Sequence, residues 1–489
     1  MATKDSLILA IDQGTTSSRA VLFDSTQAPV FSAQRDITLL YPHPGWVQQN
    51  ADELWRITHD VANQAVEAAT RNILGIGITN QRETTILWDR AIGKPCANAI
   101  NWQSRETSPI VESIVARGMA DTYQAITGLV PDAYFSATKI AMMFERDPQL
   151  RERAAAGDIA FGTVDSWLIW KLSGGRLHVT DYANASRTML YDIRKLEWSS
   201  ALLSDLDIPA AILPEVVTNS GLIGETDADV LGMTLPIAGT AGDQQSALFG
   251  QRCFLPGEAK NTYGTGSFLL MQTGTEAMAS THRMLTTIAW GIDGVVEYAL
   301  EGAIFVTGAA VQWLRDGLGI IRNAAEIEPL AASVRSTEGV SFVPALTGLG
   351  APHWDAHARG TIAGITRGTT KAHIARATLE AIAFQSRDSL QAMQSDSGIE
   401  LAELRVDGGA SANDLLMQIQ ADILGVPVVR PANIETTVAG AAALAGLGLG
   451  VWSNREDLVR DDGSDRRFEP AIDNDERESR YAEWKTVVS

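Results

Sequence analysis

Gly239-Thr-Ala-Gly-Asp-Gln-Gln245 sets a carboxylate, Asp243, directly after a glycine-permitted turn and at the start of a helical pattern. A carboxylate there can take the proton of a substrate hydroxyl as its oxygen attacks a phosphate. Phosphoryl transfer asks for little beyond such a base, in-line placement and neutralised charge. The same carboxylate would serve equally well as a helix cap, and spacing alone leaves the two roles even. Asp12-Gln-Gly-Thr-Thr-Ser17 gathers backbone N–H groups and hydroxyls in one tight turn, the composition of an anion nest suited to phosphates and also of an ordinary hairpin turn. Asp12 at the strand end would face Mg²⁺, through water because Mg²⁺ dehydrates reluctantly. Tyr263-Gly-Thr-Gly-Ser267 repeats this chemistry in the second half of the chain. Asp407-Gly-Gly-Ala410 follows a strand and opens a helix, and Gly409 lets the backbone approach a nucleoside closely. These three elements, one in the first half and two in the second, fit a nucleotide held between the halves.

Arg82-Glu83 is an adjacent cation and carboxylate at a strand end. The pair can donate to and accept from the vicinal hydroxyls of a polyol, or form a plain surface ion pair. Trp102, Tyr134 and Phe268 would wall such a small polyol, or simply join the core. Other chemistries lack their residues. There is no G-x-x-x-x-G-K-[ST], no H-R-D with D-F-G, and no H-E-x-x-H. His353 and His357 are four apart, but Pro352 argues against the helix that would pair them.

The elements that must position these residues follow from hydrophobic pattern. Leu7–Ile11 is a continuous apolar run, hence a buried strand, and Arg19–Phe23 reads as its hairpin partner. Ala259–Met271 is a second hairpin of the same style. Asn50-Ala-Asp-Glu53 reads as a capping box that opens a helix to about Ala69. Ile73–Ile78 is a strand; helical patterns cover Glu106–Arg117, Ala137–Glu145, Val164–Leu172, Val306–Asp316 and Ala372–Gln394. Strand alternating with helix indicates an α/β protein. Two Gly/Thr-tipped hairpins about 250 residues apart suggest a pseudo-duplicated architecture. Pro256-Gly257 supplies a break, which divides the chain into domains 1–250 and 251–489.

Composition narrows the partners. The 489 residues carry a net charge of −20, which disfavours nucleic acid and anionic membranes. Two cysteines, Cys96 and Cys253, imply no disulfide framework and suit a reducing compartment. The longest apolar stretch, Val438–Trp452, is rich in Ala and Gly, falls short of a bilayer span, and reads as a tightly packed buried helix. A soluble cytoplasmic protein is expected.

The motifs together resemble the FGGY carbohydrate kinase family, from about residue 6 to residue 485. The resemblance is carried by Asp12–Arg19, Gly77–Thr85, Gly162–Lys171, Ala241–Gln245, Asn261–Gly266 and Arg405–Gly409, with the family's signature regions at Tyr134–Glu145 and Gly360–Glu380. It implies an α/β fold of two ribonuclease-H-like domains, as in actin and hexokinase, with the active site in the cleft between them. It implies ATP and Mg²⁺ as partners, glycerol as acceptor, and a homodimer or homotetramer. Asp243 would be the general base and, with Asp12, face the metal. Arg82, Glu83, Trp102, Tyr134, Gln244 and Phe268 would line the polyol pocket. Thr15, Thr16, Ser17 and Arg19 would meet the ATP phosphates, and Thr265, Gly308, Gln312, Gly409 and Asn413 the rest of the nucleotide. The stretch Leu231–Pro236 lacks the arginine and glycines of the loop through which some bacterial members bind fructose 1,6-bisphosphate, so that inhibition is not implied. The C-terminal segment likewise departs from the stretch some relatives use for a sugar-transport regulator. Two alternatives are a sister kinase of a pentulose or tetritol, and an actin-like ATPase without a polyol acceptor.

Overall fold

The computed structural model describes residues 6–355, 357–459 and 465–488. Among them a thirteen-stranded sheet runs through both halves of the chain. In the first half, β1 (Ser6–Gln13), β2 (Ser17–Asp24) and β3 (Pro29–Asp36) form an antiparallel meander. Beyond β1 lie β4 (Asn72–Asn80), parallel to it, then β6 (Pro236–Gly242), parallel to β4, with β5 (Ser220–Glu225) antiparallel outside.

The second half repeats the plan. β7 (Glu258–Tyr263) and β8 (Ser267–Gly274) make the hairpin, followed outward by β10 (Val295–Ile304) and β9 (Leu285–Ile292). On the other side of β7 lie β11 (Glu403–Asp407) and β12 (Val428–Arg430), both parallel, and β13 (Arg466–Phe468). The two halves of the sheet join at a single pair, Ser220 with Ile292.

Helices cover both faces, which is why β1 is a continuous apolar run rather than an alternating one. Leu7, Leu9 and Ile11 join the cluster under α1 (Ala51–Ala68), whereas Ile8 and Ala10 join the cluster under the late helix α8 (Thr436–Gly448). Four helices between them position the site: α4 (Asp243–Gly250), α5 (Gly308–Asp316), α6 (Lys371–Ser397) and α7 (Asp414–Leu424). Ser136–Arg146 (α2) and Val164–Leu172 (α3) match the helices expected there.

The Ala/Gly stretch is buried as expected, and its smallness has a steric cause. A Cβ at Gly77 would lie 2.1 Å from the Ala441 carbonyl oxygen, and one at Gly440 would lie 1.9 Å from that of Ser246. So α8, late in the chain, lies backbone-to-backbone on strand β4 and helix α4 of the first half. The capping box at the start of α1 is only half formed. Asn50 accepts from Glu53 N at 3.0 Å, but the Glu53 carboxylate accepts from Thr38 Oγ1 at 3.1 Å instead of turning back to Asn50. Among the described residues no helix is long and apolar enough to cross a membrane.

Candidate active site

The parallel strands β1, β4 and β6 end side by side, with Gln13 beside Asn80 and Asn80 beside Gly242. Ligands in open α/β sheets bind outside such carboxyl ends. Here the ends deliver Asp12, Arg82-Glu83 and Asp243 to one place. Asp243 is the first residue of α4, and Gly242, not Asp243, stands at the cap position. The carboxylate therefore does not act as the cap that its spacing allowed. Its Oδ1 is buried and makes no hydrogen bond, and it lies 3.4 Å from Arg82 Nε. Burial holds the Asp243 pKa above the usual carboxylate value, against the pull of Arg82 and Lys260. A Cβ at Gly242 would lie 2.6 Å from Arg82 Cγ, so glycine here makes room for the arginine stem.

Arg82 and Glu83 are not a surface pair. Both are buried and form a four-charge cluster with two residues that the motifs did not reveal, Arg187 and Glu301. Arg82 donates to both Glu301 oxygens at 2.6 and 2.9 Å, to Gln245 Oε1 at 3.2 Å and to the Tyr134 hydroxyl at 3.3 Å. Arg187 donates to Glu83 Oε1 at 2.7 Å and to Glu301 Oε1 at 3.0 Å. The two arginines hold the Glu301 carboxyl well down, at about 2, despite its burial. Glu83 itself sits at φ 60°, a left-handed conformation costly for a non-glycine residue. One signal for Glu301 was available: it is a lone carboxylate within the apolar run Tyr298–Phe305, and a buried charge needs a partner.

Trp102 packs edge-on against Tyr134, centroids 5.6 Å apart, and against Phe268 of β8 at 6.1 Å. The aromatic wall thus draws on both halves. Trp102 Nε1 donates to Thr15 Oγ1 at 2.8 Å, which ties this wall to the first hairpin tip. Gln244 accepts from Lys260, a buried lysine of β7 that the sequence reading also passed over. In the first tip, Gly14 N donates to the Ser17 carbonyl at 2.9 Å, which closes the turn around Thr15 and Thr16. Arg19 is engaged by Glu435 and Gln34.

Thr265, Gly308, Gln312, Gly409 and Asn413 all line one cavity of about 550 Å³, whose apolar walls include Val311, Ile327, Leu379 and Leu416. That volume lies in the range of small-molecule sites. Its floor is rigid. Gly308 N donates to the Gly264 carbonyl at 3.1 Å and Ala309 N to that of Thr265 at 3.0 Å, fastening the second tip to the start of α5. Two adjacent glycines differ in what surrounds them. Gly408 has φ 81° and a Cβ there would meet the Tyr263 carbonyl at 2.4 Å, whereas a Cβ at Gly409 meets no protein atom within 4 Å. Gly409→Ala is expected to keep the melting temperature and raise the KM for ATP by roughly tenfold or more, the cost of about 1.4 kcal/mol of lost contact. Gly408→Ala is expected to lower the melting temperature. Thermal melts and steady-state kinetics on the two variants check this.

Asp12 is pushed up to about 7 by burial and by the carboxylates of Asp243 and Glu435, with Arg19 opposing. A carboxylate raised by a neighbouring carboxylate suits a cation completed by phosphate oxygens. Among the described residues no group of three or more His, Cys, Asp or Glu side chains converges as a metal site. His353 bonds Asp388 at 3.0 Å and is not paired with His357. The Asp12 shift carries a stability prediction. A raised pKa means that the folded state binds the proton more tightly, so its contribution is present at low pH and lost as pH rises through about 7. Asp12→Asn should therefore stabilise the ligand-free protein at pH 8, on the order of 1–4 kcal/mol. The gain should shrink toward pH 5; a gain independent of pH in denaturant titrations would contradict it.

Residues 7–250 match the N-terminal domain of the FGGY family of carbohydrate kinases and residues 259–449 match its C-terminal domain. A glycerol kinase of Aromatoleum aromaticum is 58% identical over 486 residues, 99% of this chain and 98% of its own. Glycerol kinase 2 of Thermotoga maritima is 56% identical over 485 residues, 99% and 98% of the two chains. The crystal structure of Plasmodium falciparum glycerol kinase with ADP superposes with a TM-score of 0.94 at 36% identity, covering 99% of this chain and 97% of that one. A xylulose kinase from Lactobacillus acidophilus shares the fold, with a TM-score of 0.89 at 21% identity over 99% and 96% of the chains. With both domains matched in order over most of its length, the chain belongs to the FGGY family of carbohydrate kinases.

Proposed function

We infer that the chain transfers the γ-phosphoryl group of ATP to glycerol, releasing ADP and sn-glycerol 3-phosphate. The observation that carries this reading is Asp243: a buried carboxylate oxygen without a hydrogen bond, between the Arg82–Glu83 cluster and the phosphate-type hairpin of β1 and β2. The high identity to glycerol kinases over nearly the whole chain supports the choice of acceptor.

In the step itself, a terminal glycerol hydroxyl gives its proton to Asp243 Oδ1 as its oxygen bonds to the γ-phosphorus. The bond from that phosphorus to the bridging oxygen breaks, and ADP leaves with the electron pair. Arg82 and Glu83 orient the other hydroxyls, and Gln244 completes the polar side. Trp102, Tyr134 and Phe268 meet the carbon edge and exclude bulkier sugars. Thr15, Thr16, Ser17, Arg19 and Thr265 face the phosphates; Gly308, Gln312, Gly409 and Asn413 face the nucleoside. Mg²⁺, held by phosphate oxygens and through water by Asp12 and Asp243, would neutralise charge on the transferring group. Closure of the two halves, which we divide at Gly250–Gly257, would expel water and limit wasteful hydrolysis. A cytoplasmic location and a homodimer or homotetramer complete the proposal.

The test is coupled ADP release with Mg²⁺ and ATP against glycerol, erythritol, xylulose, ribulose and no acceptor. Strong preference for glycerol is expected. Preference for another polyol would overturn the acceptor assignment, and release that ignores every acceptor would overturn the kinase reading.

A further inference from the structure

Gln81 precedes Arg82 at the end of β4 and is 1% exposed. Its amide nitrogen lies 3.1 Å from Gln13 Oε1, 3.2 Å from the Gly14 carbonyl oxygen and 3.1 Å from Gln49 Oε1. A primary amide has two hydrogens, so three acceptors share two bonds. Gly14 and Gln49 have other donors, Gln13 Nε2 at 2.6 Å and Asn101 Nδ2 at 2.9 Å respectively. The Gln81 amide can therefore bond either of them without leaving the other bare.

Its carbonyl end is equally connected. Gln81 Oε1 accepts from Thr84 Oγ1 at 3.1 Å and from Asn101 Nδ2 at 2.9 Å. Thr84 Oγ1 accepts from the backbone N–H of Trp102 at 3.2 Å, and Trp102 Nε1 returns to Thr15 Oγ1 at 2.8 Å. The bonds close a circuit from the aromatic wall through Thr84 and Gln81 to the Gly14-Thr15 tip and back. All its members are neutral, so no titration sets its arrangement, and only movement of the wall or the tip does. Buried networks of this kind polarise one another and respond as a unit.

We propose that Gln81 is a positioning residue that couples the acceptor pocket to the phosphate hairpin, so that a polyol against Trp102 favours the Gln81–Gly14 bond and sets the tip for the nucleotide phosphates. The proposal rests on the glycerol reading above. Linkage then requires the reverse, with nucleotide tightening the polyol by the same factor.

The test is a binding cycle on the full chain. Dissociation constants of a non-hydrolysable ATP analogue with Mg²⁺ are measured with and without saturating glycerol, for the wild type, Gln81→Met and Thr84→Val. Wild type is expected to bind the analogue about 5–150-fold tighter with glycerol, the usual span of site coupling. Gln81→Met keeps the side-chain length and loses the bonds, and its ratio should fall to within about twofold of unity. Thr84→Val cuts the same circuit at another residue and should do likewise, which covers the case that Gln81→Met does not fold. A merely structural role would weaken both affinities or lower the melting temperature and leave the ratio intact. An unchanged ratio in a folded variant, or no coupling in the wild type, overturns the proposal. Glycerol binding is measured separately, by a direct calorimetric titration of each protein with glycerol. If the wild type binds none, the acceptor assignment has failed, not the relay, and the cycle is run with the acceptor that the turnover panel identifies.

Discussion

Asp243→Asn is expected to fold normally and to lose about 10²–10⁴-fold in kcat, the span of a lost general base. The geometry separates this from a folding defect. Asp243 Oδ1 makes no hydrogen bond that asparagine would break, and the cap position of α4 belongs to Gly242. The substitution also removes a half-buried charge whose desolvation raises its own pKa, so stability should hold or rise. Affinity for glycerol and for ATP should change little, because the loss falls on a proton acceptor used as the reaction proceeds. The pH profile provides a second reading. With the Asp243 pKa raised, the wild-type kcat/KM should fall as the base is protonated, at a pH above the ordinary carboxylate range. The residual rate of Asp243→Asn should lack that limb. Turnover within tenfold of wild type would remove Asp243 from the mechanism.

The legible parts of this site were those whose information is local. Turn chemistry marked both hairpin tips, and glycine before Asp243 marked a strand-to-helix junction. The cap at Asn50 and the apolar run of β1 placed elements to within a residue or two. The even choice between base and cap at Asp243 could not be made locally, because it turns on one residue of register at the start of α4. The charge cluster was hidden for a different reason. Arg187 is 104 residues from Glu83, and Glu301 is 219 from Arg82, so no motif or period connects them. Only a carboxylate stranded in an apolar strand hinted that a partner must exist. The same holds for α8. Its composition announced close packing, but its partners, Gly77 and the Ser246 carbonyl, are visible only once the late helix is laid on β4 and α4.

Arg82→Ala is expected to raise the glycerol KM by at least about 100-fold, roughly 2.7 kcal/mol of lost binding, and also to cost stability. Two buried arginines and two buried carboxylates balance in the native cluster. Alanine leaves Glu83 and Glu301 with Arg187 alone, and breaking a buried pair from one side typically costs about 3–5 kcal/mol. ATP affinity measured without glycerol should change little, since the nucleotide-type cavity is lined by residues 263–416 and none of the four charges. Arg82→Lys separates the two losses. Lysine keeps the positive charge and should recover much of the melting temperature. It cannot, however, present two parallel N–H groups to Glu301 while keeping an Nε near Asp243, so the high glycerol KM should remain. Were lysine to restore the KM as well, net charge alone would account for acceptor binding. The fork of Arg82 would then be a folding device, and orientation of the glycerol hydroxyls would fall to Glu83 and Gln244.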